Sequence, residues 1–162
     1  MRILAMAGGI AGAVALSQFP EFSQQYMQRL AGARDELRAV TVAFDLTAKA
    51  SNLSREDALI AMGGSTFQNR LADDMRARIT RFERLDADYS ALSTSLPLER
   101  LAQFWRIRDA ELIERTWDDY APAVPVTSQG LISTAIGYVI GWGLITLILS
   151  FLTAPLRRRT RA

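Results

Sequence analysis

The chain contains no cysteine and no histidine. The first absence excludes disulfides, thiolate nucleophiles and thiol-based zinc sites. The second removes the side chain that most often moves protons near neutral pH. Lysine occurs once, at Lys49. Two stretches lack charge altogether, Ile3–Pro20 and Leu131–Leu152, and no acidic residue lies outside Glu21–Asp119. That central block holds all 17 acids and 14 of the 19 cations, a net charge of −3. The other five cations, Arg2, Arg157, Arg158, Arg159 and Arg161, bring the total to +2. The basic balance therefore describes two short tips. A nucleic-acid surface needs clustered cations on a folded face, and none is expected here.

Phosphate loops and calcium loops are absent as patterns. Gly63-Gly64-Ser65 has no lysine and no preceding strand, and no D-x-[DN]-x-[DN]-G order occurs. The serines have no histidine base, and S-x-x-K does not occur. Carboxylate pairs do exist, at Glu56-Asp57, Asp73-Asp74, Asp86/Asp88 and Asp118-Asp119. Adjacent helical positions point about 100° apart, so these read as solvated helix surface. Asp118-Asp119, beside Trp117 and Tyr120, is the pair worth testing. No catalytic residue, cofactor, metal or small-molecule substrate is expected.

What is present is hydrophobic length. Leu131–Leu152 runs 22 residues without charge, and a hydrocarbon core of ~30 Å needs roughly 20 helical residues. Beyond it stand Pro155 and Arg157, Arg158, Arg159 and Arg161. Such a cluster marks a cytoplasmic end and can meet anionic headgroups. The first stretch, residues 1–19, is shorter. Ala13-Val14-Ala15 also fits a signal-peptidase pattern, but the run continues uncharged to Pro20, long enough to span with some thinning, and a retained helix is expected. Both stretches carry glycines four apart, Gly8 and Gly12 in the first, Gly137 and Gly141 in the second. That spacing suits close helix packing in lipid.

The middle block, residues 20–129, reads as helical throughout. Phe22, Tyr26, Leu30, Ala33, Leu37, Val40 and Phe44 form a heptad-like stripe over a helix of about 21–49. Ser54 caps a short helix of about 54–62, stopped by Gly63-Gly64. Phe67, Leu71, Met75, Ile79, Phe82, Leu85, Tyr89 and Leu92 repeat the stripe over about 66–94. A further helix is expected over about 97–120, ended by Pro122 and Pro125. The fold class is thus all-α: two membrane helices, 1–19 and 130–154, flank a helical hairpin or bundle with coiled-coil-like stripes, and 155–162 is a basic tail. Phe104, Trp105 and Arg106, with Trp117, are candidates for a partner interface, since Trp and Arg favour interface centres.

The run Ser17-Gln18-Phe19-Pro20-Glu21-Phe22-Ser23-Gln24-Gln25-Tyr26, the Ala-Pro-Ala-Val-Pro segment before the second span, and the basic tail resemble a small family of alphaproteobacterial inner-membrane proteins of unknown function. The resemblance implies an inner-membrane location with both termini cytoplasmic and residues 20–129 in the periplasm. It implies no activity and no site residues. The role expected is a non-enzymatic structural or interaction subunit, an accessory or scaffold that contacts lipid and a protein partner or itself. A periplasmic ligand-sensing module is the alternative; it would need a partner to carry its signal.

Overall fold

The computed structural model describes residues 2–120 and 127–159, with side chains to residue 152. Every regular element among the described residues is helical. The order is α1 Arg2–Ser17, α2 Phe19–Ala50, α3 Arg55–Ala61, α4 Thr66–Ser93, a 3-10 segment Glu99–Arg106, α5 Ala110–Asp118 and α6 Ser128–Arg159. They form two compact units. One comprises residues 1–25, 95–104 and 117–162; the other comprises 26–94 and 105–116.

Two helical stretches are long and apolar enough to cross a membrane: Arg2–Ala50, in which α1 runs on into α2, and Ser128–Leu152 of α6. α1 ends at Ser17, whose hydroxyl donates to the Val14 carbonyl at 2.8 Å. One residue, Gln18, separates it from α2, where Pro20 sits in the first turn and its missing N–H costs nothing. α6 begins two residues ahead of the expected boundary and its backbone stays helical through Pro155 to Arg159. A proline late in such a helix removes one bond, which local adjustment can absorb.

The second unit is a helical hairpin. Tyr26, Met27, Leu30 and Leu37 of α2 meet Leu85 and Leu92 of α4, with Leu112 of α5 closing the core. Arg34 reinforces the pair through an ion pair with Asp86, Nε to Oδ1 at 2.9 Å, and by lying 4.5 Å over the Tyr89 ring. Asn52, in the left-handed region at φ 55°, ends α2, and Leu53 N–H returns to the Ala48 carbonyl at 2.9 Å. Ser54 then caps α3 by accepting from Asp57 N–H at 3.1 Å. Gly64, at φ +147°, takes a conformation that other residues rarely adopt. Ser65 and Gln68 form a capping box that starts α4. Arg55 staples the tip to Asp45 and Glu83, at 2.6 and 2.9 Å. This pairing holds the Asp45 carboxyl below its ordinary value, chiefly through the Arg55 hydrogen bond.

Three expectations need revision. The stripe does not stay buried along its length. Phe67 and Leu71 are exposed: α2 stops at Ala50, and the short α3 that contacts α4 leaves these two positions uncovered. In α2 the buried seam passes through Thr41 and Ala48, with Val40 and Phe44 only half-buried. The helix expected over 97–120 is broken in two. The segment Glu99–Arg106 winds as a kinked 3-10 helix, residues 107–109 are not helical, and α5 starts afresh at Ala110. Asp109 causes the break: its side chain accepts from Leu112 N–H at 3.3 Å and so caps a new helix.

Gly32 supplies a simple test of the hairpin. It lies mid-helix in α2, exposed, and a Cβ there would meet nothing within 4 Å. Gly32→Ala should therefore raise stability by about 0.5–1 kcal/mol through backbone entropy alone. The measurement is the thermal midpoint followed by circular dichroism; a lower midpoint would show that the site is not open.

Candidate functional site

In the first unit, α1 and α6 pack with their backbones in close approach. α1 presents small residues every fourth position, Ala5, Gly9, Ala13 and Ser17, all buried. Gly8 and Gly12 lie beside them on the same face. α6 answers with Ser133 and Gly137, both buried, and half-buried Gly141. The helices are antiparallel: Gly8 meets Gly141 and Ile145, while Gly12 meets Gly137 and Gly141. All four glycines anticipated for packing meet at one interface, and each faces backbone. A Cβ on Gly12 would run into the Gly137 carbonyl, and one on Gly137 into the Gly12 carbonyl. A Cβ on Gly141 would likewise meet the Gly8 carbonyl. Gly9 serves a different purpose: a Cβ there would lie 2.7 Å from the Tyr138 ring, which covers that point of α1. Close backbone approach of this kind is how helices associate where no water is left to expel.

The opposite faces are mostly apolar and uncovered within the described residues. Ile3, Leu4, Met6, Ile10 and Val14 are exposed on α1, as are Leu131, Val139, Leu144, Leu147 and Phe151 on α6. Only 6 % of the apolar window of α6 is buried by the described residues of the chain.

Of the partner-interface candidates, Phe104 is 62 % exposed and Trp105 is 57 % exposed. Trp117 is 70 % exposed and belongs to an aromatic cluster of the first unit. Its ring stacks on Tyr120 at 6.3 Å, and both meet Phe22 edge-on at 6.4 and 5.9 Å. The Tyr120 hydroxyl lies 2.8 Å from Gln18 Oε1 and 3.3 Å from the Gln18 carbonyl, so it donates at the α1–α2 junction. Burial pushes the Tyr120 phenol upward, helped by the Glu21 charge.

Arg106 has an intramolecular role. It donates to Asp88 at 3.3 Å, and Arg108 donates to the same carboxylate at 2.9 Å. Asp88 is only 2 % exposed. The reciprocal arrangement stands beside it: Asp109 is buried and receives Arg81 and Arg84, each at 3.0 Å. Thus the segment 106–109 offers two cations to an acid of α4, and α4 offers two cations to the acid of that segment. The Asp109 backbone N–H also points at the Tyr26 hydroxyl, at 3.5 Å. Burial alone would raise the Asp109 carboxyl. The hydrogen bonds from Arg81, Leu112 N–H and Arg84 outweigh it and hold the group below its ordinary value. Arg81 moves the other way: burial opposes its charge, but Asp109 and Glu111 raise it. Sequence reading missed this clamp because the four ion pairs join positions 18 to 28 residues apart.

The acidic pairs do not converge. Asp57 binds the Ser54 cap, Glu56 and Asp73 pair with Arg76, Asp74 with Arg78, and Asp86 with Arg34. Asp118 and Asp119 are exposed. No group of acids that could hold a metal ion occurs among the described residues. Of the tail arginines, Arg161 and the side chains of Arg157, Arg158 and Arg159 fall outside what the structure describes.

A family model described as a protein of unknown function, DUF2937, matches residues 1–158. No curated protein and no solved structure matches the chain.

Proposed function

We propose, for this chain, which belongs to the DUF2937 family of proteins of unknown function, a role as a two-span membrane protein that works by protein–protein interaction. The observation that carries it is the one-sided packing of α1 and α6. Their mutual face is centred on small residues, and the exposed positions of both helices are mostly aliphatic or aromatic. Water would penalise such a surface by ~25 cal/mol per Å², while a bilayer accepts it. Antiparallel packing returns both helix ends to one side. The arginines at 157–161 support a cytoplasmic position for that side; on this reading the spans lie in a bacterial inner membrane and residues 20–129 in the periplasm.

An accessory or scaffold role rests on surface outside the spans. Leu46, Ile60, Phe67 and Trp105 are exposed on the helical hairpin unit and are the apolar positions a partner would meet there.

Orientation is testable because the chain has no native cysteine. Ser51→Cys sits at the exposed turn after α2. In intact spheroplasts it should react with a membrane-impermeant maleimide; reaction only after lysis would reverse the topology. Association is tested by native mass spectrometry of the protein released into lipid nanodiscs. A homo-oligomer or a stoichiometric partner is expected. A strict monomer with nothing bound removes the scaffold reading.

A further inference from the structure

The sequence places aromatic residues in the middle of the second span, at Tyr138 and Trp142, and not at its ends. The fold supplies the missing collar from elsewhere in the chain. Trp117 and Tyr120 come from the end of α5 and the residues after it, about 100 residues from α1 in sequence, yet they stack on each other and on Phe22 in the same unit as the helix pair. Tyr120 is tied to Gln18 by its hydroxyl, immediately past the end of α1.

Depth follows from helix geometry. Gln18 to Phe22 is four residues, or ~6 Å at 1.5 Å per residue. The polar layer on each side of a hydrocarbon core is ~5–7 Å thick, half the difference between ~30 and ~40–45 Å. The cluster therefore lies within one headgroup layer of the point where the apolar run stops. An indole 70 % exposed, stacked on a tyrosine that keeps its hydroxyl bonded, has an apolar body and polar edges. That is the chemistry the bilayer interface selects.

We propose that Trp117, Tyr120 and Phe22 form an interfacial anchor that inserts among lipid headgroups and sets the depth of the spanning pair. The anchor rests on the membrane reading given above. The surrounding charges define the headgroup. In residues 19–25, 95–104 and 117–120 of the first unit the acids are Glu21, Glu99, Asp118 and Asp119, and the one cation is Arg100. An acidic collar of this kind suits zwitterionic lipids, whose outermost charge is an ammonium group.

The test uses single-tryptophan variants of the full chain in phosphatidylcholine vesicles. Trp105→Phe with Trp142→Phe leaves Trp117 and its cluster intact; Trp105→Phe with Trp117→Phe leaves Trp142. Trp142 lies beside Gly141 near the middle of its span and serves as the internal reference. Quenching is read with lipids brominated near the headgroup or near the chain methyl end. Trp117 should be quenched at least about twofold more by the shallow label, and Trp142 more by the deep one. If Trp142 responds to the deep label but Trp117 responds only to aqueous acrylamide, the anchor is overturned and the membrane reading stands. If Trp117 is shielded from acrylamide and from both lipids, a protein covers it and the anchor is again overturned. If Trp142 ignores both lipids, the membrane reading fails and the anchor fails with it.

Discussion

Leucine in place of Gly12 is expected to separate α1 from α6 and to give the largest loss of stability of any single substitution in the first unit. The reason is what the new side chain would meet. A Cβ at Gly12 falls on the Gly137 carbonyl oxygen and 3.1 Å from the Gly141 Cα. Both are backbone atoms, so no rotamer change relieves the clash, and the helices must move apart as bodies. Overpacking in a well-filled interface costs about 1–3 kcal/mol, and a backbone clash belongs at the upper end. For a chain of this size ~3 kcal/mol corresponds to a fall of about 6–12 °C in Tm. Gly137→Leu should behave alike, since the contact is reciprocal. Gly143→Leu is the matched control: it lies on the same helix, where a Cβ finds nothing within 4 Å. Thermal unfolding in detergent, followed by circular dichroism, distinguishes them. Equal shifts for Gly12→Leu and Gly143→Leu would mean that the pair does not close through its glycines.

These glycines were legible in the sequence because their signal is local. A residue repeated every four positions states which face of a helix is shaped for close approach, whatever lies opposite. The cap at Ser54 was readable for the same reason. The end of the stripe was not. Phe67 and Leu71 continue the period of α4 without fault, but burial needs a partner, and α2 has already turned away at Asn52. Periodicity reports what a helix could bury, and only topology decides what it does bury. The break at Asp109 shows a second limit. An aspartate inside a charged run reads as solvated surface, and its capping role appears only once Arg81 and Arg84 hold its other contacts. Trp117 shows a third. Its place beside Phe22 depends on a chain return of nearly a hundred residues, which no local pattern encodes.

The clamp between α4 and the segment 106–109 carries the second large effect, and the effect should be asymmetric. Arg106→Ala combined with Arg108→Ala removes both cations from a carboxylate that is 2 % exposed. Breaking a buried pair by deleting one partner costs about 3–5 kcal/mol, because the other charge stays desolvated. Asp88→Asn leaves two arginines whose side chains are 34 % and 54 % exposed. They can turn to water, so the loss should be only about 1 kcal/mol, the value of the hydrogen bonds. Urea midpoints of the three proteins measure the difference, and equal losses would show that the carboxylate is not truly desolvated. Asp109 adds a pH signature. Its folded pKa is depressed below the ordinary 3.8, so in the window between the two values the unfolded chain binds the proton and the folded chain does not. Stability from this group is then complete above the unfolded value and drains away as pH falls through the folded one. Asp45 is depressed as well, so the comparison must be made against a variant. Between pH ~6 and pH ~3, a range spanning ordinary carboxylate titration, Asp109→Asn should lose less stability than the parent chain. A parallel decline in both would remove Asp109 as a source of the acid sensitivity.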